Sequence, residues 1–460
     1  MPSPPAPQLL FAVTTDLCFD QRMQRICGSL AAAGYRVQLV GWQRPASPPL
    51  TPQPYAQHRL RGWFQRGKLF YLEYNLRLFA YLLTQRAAAW CAADLDTALP
   101  VWLRARLGGH PFVYDAHELF TEVPEVVARP AVQRVWRWVE GFVVPRARLA
   151  YTVGPALARV FEQRYGRPFA VVRNVSRLLP EAAGPAPAVT APTPTSGQFT
   201  PTSGQFIPTS GQFTPISGQL TPTSGQFTPT SGQSTPTSGQ STPTSGQFTP
   251  ASGQFTPTLG QLTSDSGKSG PISGESAGYI LYQGALNVGR GLESLLDAMP
   301  QVAGRLVICG EGDLSAALRA RADQLGLLAS GKVEFRGFVL PEALREVTRH
   351  AAVGIMLLEN IGLSYYYSLA NKFFDYVHAG IPQVLIDFPE YRALNDQFDV
   401  AELVTDLHPT TLAAALNRLL RDEPARYQHL AANCARAAPQ LSWQHEEREL
   451  LALYAGLSIR

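Results

Sequence analysis

The sequence predicts an α/β protein built from two doubly wound domains, and three observations carry that prediction. Residues 9–41 run strand, loop, helix, glycine, strand (LLFAVT, TDLCFDQR, a helix over 21–33, Gly34, RVQLVG), the opening unit of a parallel sheet flanked by helices. The same alternation restarts at Tyr279 with YILYQG and continues toward the C-terminus. Between the two series lies a segment dominated by Thr, Pro, Ser, Gly and Gln. The expected layout is a first domain over 1–180, a linker over 181–278 and a second domain over 279–460, and 460 residues suffice for domains with their own cores.

In the first domain, LLFAVT is an apolar run of the kind a strand buried on both faces requires. Asp16, Asp20 and Arg22 follow it, at the sheet edge where doubly wound folds bind ligands. Helix capping by Asp16 or Asp20 is the plainer reading. Residues 45–58 are proline-rich and read as loop. Two helical stretches follow, the first over 68–90, with a break near 94–99. That first helix is the most lipophilic in the chain, but Glu73, Arg77 and Arg86 interrupt it, so it should not span a bilayer. It reads as a buried or groove-lining helix, or as one lying on a membrane surface.

A short strand at 112–114 leads into DAHELFTEVPE, placing Asp115, His117, Glu118, Glu122 and Glu125 directly after a strand's carboxyl end. A histidine between carboxylates is oriented by them and suits hydrogen bonding to a sugar or proton transfer. Capping and solvated surface are the alternative reading. One histidine without a second ligand cluster gives no metal site, and none is expected. A helix over 131–144, a strand at 150–153, a further helix and a strand at 170–172 complete this domain.

In the linker, TPTSGQF recurs with a period of seven, and its S-G-Q or L-G-Q core appears ten times over 196–261. Proline and glycine recur throughout and no apolar seam exists, which excludes a coiled coil. The period is too short for a solenoid. The composition predicts a disordered tether, with repeat expansion at a domain junction as its origin and a functional binding repeat as the alternative.

In the second domain, YILYQ ends at Gly284, and NVGRGLESLLDAM opens a helix with Arg290 at its start. RLVIC (305–309) leads to Gly310-Glu311-Gly312-Asp313, VEFR (333–336) leads to Gly337 and a helix from Pro341, and 352–357 is the next strand. The glycine turns at Gly289/Gly291 and Gly310/Gly312 are neither a P-loop nor a full dinucleotide fingerprint. With Arg290 and Lys372 they point to backbone amides and two cations converging on a diphosphate. The stretch LSYYYSLANKFFDYVHAGIPQVLI (363–386) reads as a polar-aromatic loop with Ser364 and Ser368, a helix over 371–379 closed by Gly380, and a buried strand. Lys372 and Asp375 share a face of that helix, near an N-terminus that favours anions. There a lysine serves as a phosphate cradle and a carboxylate accepts from sugar hydroxyls. An ordinary exposed Lys–Asp pair is the alternative. A last helix over 443–455 stands where it can cross back to the first domain.

Charge is uneven. Residues 1–180 hold 22 Lys and Arg against 11 Asp and Glu, whereas 279–460 hold 16 against 21. The basic first half fits an anionic partner such as a membrane surface, or else a simply solvated face. Nucleic acid is not expected, because the aromatic and basic residues of RVWRW (134–138) are explained by amphipathic packing. The five cysteines are not closely paired and read as reduced thiols in a cytosolic protein. MPSPPAPQLLFAV has no basic stretch before a long apolar run, so no signal peptide is expected.

QGALNVGRGLESLLDAM, LVICGEGDL, VEFRGFV and SLANKFFDYVHAGIP together resemble the group 1 glycosyltransferases of the GT-B fold. VTTDLCFDQRMQRICGSLAAAGYRVQLVG and YDAHELFTEVPE resemble that family's first domain. The resemblance covers nearly everything outside 181–278. It implies two Rossmann-like domains with the active site in the cleft between them. The second would bind a nucleotide-diphospho sugar and the first the acceptor, with retention of configuration and neither metal nor other cofactor. Arg290 matches the second basic position of the family's phosphate motif. The first falls on Ala285, so Lys372 would compensate. Asp375 matches the second carboxylate of the Glu-x7-Glu motif, expected at the ribose, while the first falls on Tyr367. His117 matches the first-domain histidine near donor sugar and acceptor, and Ala370 replaces a frequent proline. Gly284, Gly310, Gly312, Phe338, Ser368 and Asn371 complete the expected donor side. Asp16, Arg22, Asp115 and Glu118 are expected on the acceptor side of the cleft.

The expected activity is transfer of a hexose from a nucleotide-diphospho sugar to a lipid-linked or polysaccharide acceptor in cell-surface glycan synthesis. The expected location is the cytoplasm, with peripheral contact to the inner face of the membrane. A nucleotide-sugar epimerase on the same scaffold and a degenerate sugar-nucleotide-binding protein are the competing readings.

Overall fold

Two all-parallel sheets organise the computed structural model, which describes residues 6–179 and 278–457. The heptapeptide segment expected to be a disordered tether lies outside the described residues. The first sheet contains β1 (Gln8–Ala12), β2 (Arg36–Trp42), β3 (Ala56–Leu60), β4 (Ala89–Ala93), β5 (Phe112–Ala116), β6 (Leu149–Thr152) and β7 (Ala170–Val171), in the order β3-β2-β1-β4-β5-β6-β7. The second contains β8 (Tyr279–Gln283), β9 (Leu306–Cys309), β10 (Val333–Gly337), β11 (Ala351–Met356), β12 (Gln383–Ile386) and β13 (Ala401–Val404), in the order β10-β9-β8-β11-β12-β13. Strand order reverses beside β1 and beside β8. The crevices at those two points, beyond the carboxyl ends of the strands, are where such sheets take ligands.

The central strands are buried on both faces because helices cover both sides. Phe11, Cys91 and Val113 pack into one core of the first domain, while Leu10, Trp90 and Tyr114 pack into the other. Each large apolar side chain so buried contributes roughly 1.5–3 kcal/mol.

Four features differ from the sequence expectation. The proline-rich loop gives way to β3 at Ala56, paired in register with β2 from Gln38↔Ala56 to Trp42↔Leu60. The long helix ends at Leu83, and AWCAA is the central strand β4. Alanine favours helix in isolation, but a strand hydrogen-bonded on both sides and covered on both faces needs small apolar residues. The expected break over 94–99 is instead the first turns of helix Leu95–Gly108. Part of the aromatic loop is also helical, over Leu363–Tyr366.

The last helix, Trp443–Ala455, packs on the first domain. Trp443 Nε1 donates to Ser29 Oγ at 2.9 Å, Arg173 pairs with Glu446 at 2.9 Å, and Tyr454 hydroxyl lies 3.2 Å from that of Tyr151. A second tie runs through Glu390, whose Oε1 accepts from the N–H groups of Ala156 (2.7 Å) and Leu157 (3.1 Å) at the start of helix Pro155–Tyr165. A Cβ at Gly154 would stand 2.4 Å from that oxygen, so this contact needs glycine there.

Candidate functional site

The first half of the site lies past the ends of β4 and β5. Asp94 follows β4 with φ of +62°, a conformation uncommon for a residue with a side chain. Its backbone N–H donates to Asp115 carbonyl at 2.8 Å. Its carboxylate takes the backbone N–H and ring Nδ1 of His117, at 2.9 Å each. His117 Nε2 meets Asp115 Oδ2 at 3.1 Å. Burial opposes charge on this imidazole, but Asp94 and Asp115 outweigh it and hold its pKa well above the usual histidine range. Burial would raise Asp115 too, but Arg22 and His117 keep it down at about 2. The result is a fixed imidazolium between two carboxylates.

Three of the expected cleft residues are internal supports: Asp115, buried between Arg22 and His117, and the two that follow. Arg22 is buried and forks onto Asp115 at 2.7 and 3.2 Å, with its third nitrogen on Val172 carbonyl at 3.0 Å. Asp16 is buried against Arg59 at 2.5 Å. All three are held by partners inside the first domain, which corrects their expected place on the cleft surface. Glu118 is open to solvent at the mouth of the cleft yet crowded by protein. That partial withdrawal from water, then Asp94, pushes its pKa up to about 7. Asp96, fully internal beside Thr14 (2.6 Å), is also pushed up to about 7 by burial and by Asp94. Among the described residues no group of three or more His, Cys, Asp or Glu could hold a metal ion.

The second half lies past the ends of β8, β9 and β11. Gly284 turns at φ +127° and is exposed, and Lys372 Nζ would stand 3.4 Å from a Cβ placed on it. Gly310, at φ +148°, packs so tightly that its Cβ would meet Gly284 carbonyl at 1.8 Å. A Cβ at Gly312 would meet Asn287 Oδ1 at 2.4 Å. Lys372 Nζ lies 3.8 Å from the centre of the Tyr282 ring, and Arg290 lies over Tyr365 at 5.0 Å. Burial, and then Arg290, lower the Lys372 pKa well below the usual lysine range. Neither cation forms an ion pair with a carboxylate among the described residues. Arg290 Nε is buried without a hydrogen-bond partner.

Asp375 differs from the ribose-facing expectation. Its Oδ1 accepts from Ser176 hydroxyl at 2.6 Å and its Oδ2 from Gln283 Nε2 at 3.1 Å. Ser368 donates to Tyr365 carbonyl at 2.9 Å, while Phe338 and Asn371 are exposed. No side chain caps helix Asn371–His378. Ser364 is buried, and from the second domain its side chain opposes the rise in the Glu118 pKa, so the carboxyl ends of the two sheets come together here. Asp94 is the residue the sequence reading missed. Its only signal was an acidic residue closing the apolar run AWCAA.

Two doubly wound sheets meeting at their carboxyl ends, with unpaired cations on one side and a clamped histidine on the other, define a GT-B glycosyltransferase. The family described as glycosyl transferases group 1 matches residues 277–422, and the glycosyl transferase 4-like domain matches 20–198. The chain belongs to the group 1 glycosyltransferases. Sucrose-phosphate synthase from Thermosynechococcus elongatus superposes with a TM-score of 0.65 at 14% identity, over 98% of this chain and 99% of that one. Anabaena HepE, in complex with UDP and glucose, gives 0.61 at 13% identity, over 98% and 100%. WaaG, a glycosyltransferase involved in lipopolysaccharide biosynthesis, gives 0.59 at 12% identity, over 97% and 100%. No curated protein sequence matches.

Proposed function

We propose that this glycosyltransferase moves a hexose from a nucleotide-diphospho sugar to a lipid-linked or polysaccharide acceptor of the cell surface, with retention and without a metal ion. The carrying observation is the convergence of Arg290 and Lys372, free of carboxylate partners among the described residues, beside the Gly284–Gly310 turn. Two cations set in a recess stabilise the charge that develops on a departing diphosphate, and glycine backbone lets its oxygens approach. Across the cleft, the His117 imidazolium cannot act as a general base, since both ring nitrogens already donate. With both N–H groups spent on Asp94 and Asp115, it supplies fixed positive charge beside the sugar. Glu118, poised near neutrality at the cleft mouth, suits contact with the acceptor hydroxyl and its proton. UDP and glucose bound to HepE, and the lipopolysaccharide role of WaaG, support this choice of donor and acceptor class.

The test is calorimetric titration with UDP, GDP, ADP and TDP and their hexose conjugates, without added metal. Micromolar binding of one nucleotide, lost in Lys372→Ala, is expected. Failure of all of them to bind would leave a degenerate scaffold. The acidic groups around His117 favour epimerisation as the second reading. It would show as an altered sugar nucleotide formed without any acceptor.

A further inference from the structure

The layer of helices over one face of the first sheet is apolar on both sides. On helix Gly67–Leu83, Phe70, Tyr74, Leu78 and Leu82 are buried at four-residue spacing, as a core-facing stripe should be. The opposite side presents Leu69, Leu72, Leu76 and Leu83, all exposed, with Leu76 at 63%. Trp63, 83% exposed, and Phe64 stand just before the helix. They are held in place: Glu73 accepts their backbone N–H groups at 2.9–3.1 Å, and Arg77 lies over the Trp63 ring at 4.8 Å. Trp138, at 64%, and Val135 continue the apolar surface on helix Pro130–Val143, which reaches the first helix through the Tyr71–Trp136 ring contact. An apolar face this extensive marks a docking surface.

Charge identifies what docks. Arg61, Arg66, Lys68 and Arg86 flank the leucine stripe, and Arg134 lies beside Val135; all are exposed. The acids of this layer face inward or are engaged: Glu73 is held by Arg77 and the Trp63–Phe64 turn, and Asp96 and Glu140 are buried. Helices Gly67–Leu83, Leu95–Gly108 and Pro130–Val143 therefore expose no carboxylate. Leucine and tryptophan rimmed by cations, on helices that expose no carboxylate of their own, match an anionic lipid surface. No helix among the described residues is long and apolar enough to cross a membrane, so a bilayer partner would be met at its surface.

We propose that residues 63–83, with Val135 and Trp138, dock the protein on an anionic bilayer. The docking does not depend on which donor the cleft takes. The test is cosedimentation of the full chain with vesicles of phosphatidylcholine alone and of phosphatidylcholine mixed with phosphatidylglycerol. Binding to the mixed vesicles, weakened by salt, is expected. The double variant Leu72→Gln/Leu76→Gln, altered only at exposed positions, should lose at least about tenfold in partitioning while its nucleotide titration is unchanged. Equal partitioning of variant and wild type would overturn the proposal. So would absence of vesicle binding together with a concentration-dependent dimer that the variant abolishes, because the face would then belong to a second copy. Loss of nucleotide binding in the wild type would count against the transfer reading alone.

Discussion

The Asp94 carboxylate receives both the backbone N–H and the ring Nδ1–H of His117, at 2.9 Å each. A side chain at φ +62° costs of the order of 1 kcal/mol. That strain is tolerated where β4 ends and the sheet order reverses. It aims one carboxylate at one imidazole, which Asp115 and Arg22 hold from behind.

Asp94→Asn removes the charge while keeping the size. The His117 pKa should then fall toward the ordinary value of about 6.5, read by proton titration of its ring in NMR. Turnover at saturating donor should drop about tenfold to a hundredfold. The stability link has a definite sign. A histidine pKa raised by folding adds stability below its unfolded value, and that stability is lost as pH rises through the folded value. The variant should lose this extra stability at acidic and neutral pH, and denaturant midpoints across that range measure it. An unmoved His117 titration would refute the arrangement.

Lys372 makes a different pH prediction. Its pKa is lowered by burial and by Arg290. A bound diphosphate brings negative charge and raises it again. Binding should therefore take up part of a proton, and affinity should fall as pH rises. Calorimetry at one pH in buffers of differing ionisation enthalpy gives the proton count. Lys372→Arg, always charged, should abolish the uptake. A buffer-independent heat in the wild type would remove Lys372 from the diphosphate.

The architecture was legible because buried strands and Gly-stopped helices leave strong local patterns, from LLFAVT to VLI. β4 was not, because AWCAA carries alanine's helical preference, and its strand state comes from pairing with β1 and β5. Asp94 was hidden with it. The cations Arg290 and Lys372 could be read as a pair from their glycine-rich and helix-start contexts. The partner of Asp375 could not: Ser176 lies 199 positions away, and only the folded chain brings them to 2.6 Å. Arg22 likewise reads as a loop-edge cation, and only the approach of Asp115 makes it a buried support.

Gly310→Ala tests the turn beneath the two cations. The added Cβ would overlap Gly284 carbonyl at 1.8 Å, backbone against backbone, at a φ of +148°. Neither side can yield without moving the Gly284 turn. Nucleotide affinity should fall at least about a hundredfold, with a stability loss of roughly 2–4 kcal/mol. Titration and denaturant unfolding read the two effects. Wild-type affinity in a folded variant would show that this turn does not hold the ligand.

Glu390 tests how the two domains are joined. It is fully buried, accepts two N–H groups at the start of helix Pro155–Tyr165, and leaves Oε2 without a partner. Burial raises its pKa despite those bonds. For an acid with a raised pKa, ionisation in the fold is unfavourable, so stability falls as pH rises from the ordinary value of about 4.3 through the folded one. Glu390→Gln keeps an acceptor and removes that dependence, so at neutral pH it should lie within about 1 kcal/mol of wild type. Glu390→Ala strands two buried donors and should cost roughly 2–3 kcal/mol. Denaturant unfolding at acidic and neutral pH separates the two. A glutamine variant as damaging as alanine at neutral pH would mean that the carboxylate charge, acting on the helix N-terminus, is what joins the domains.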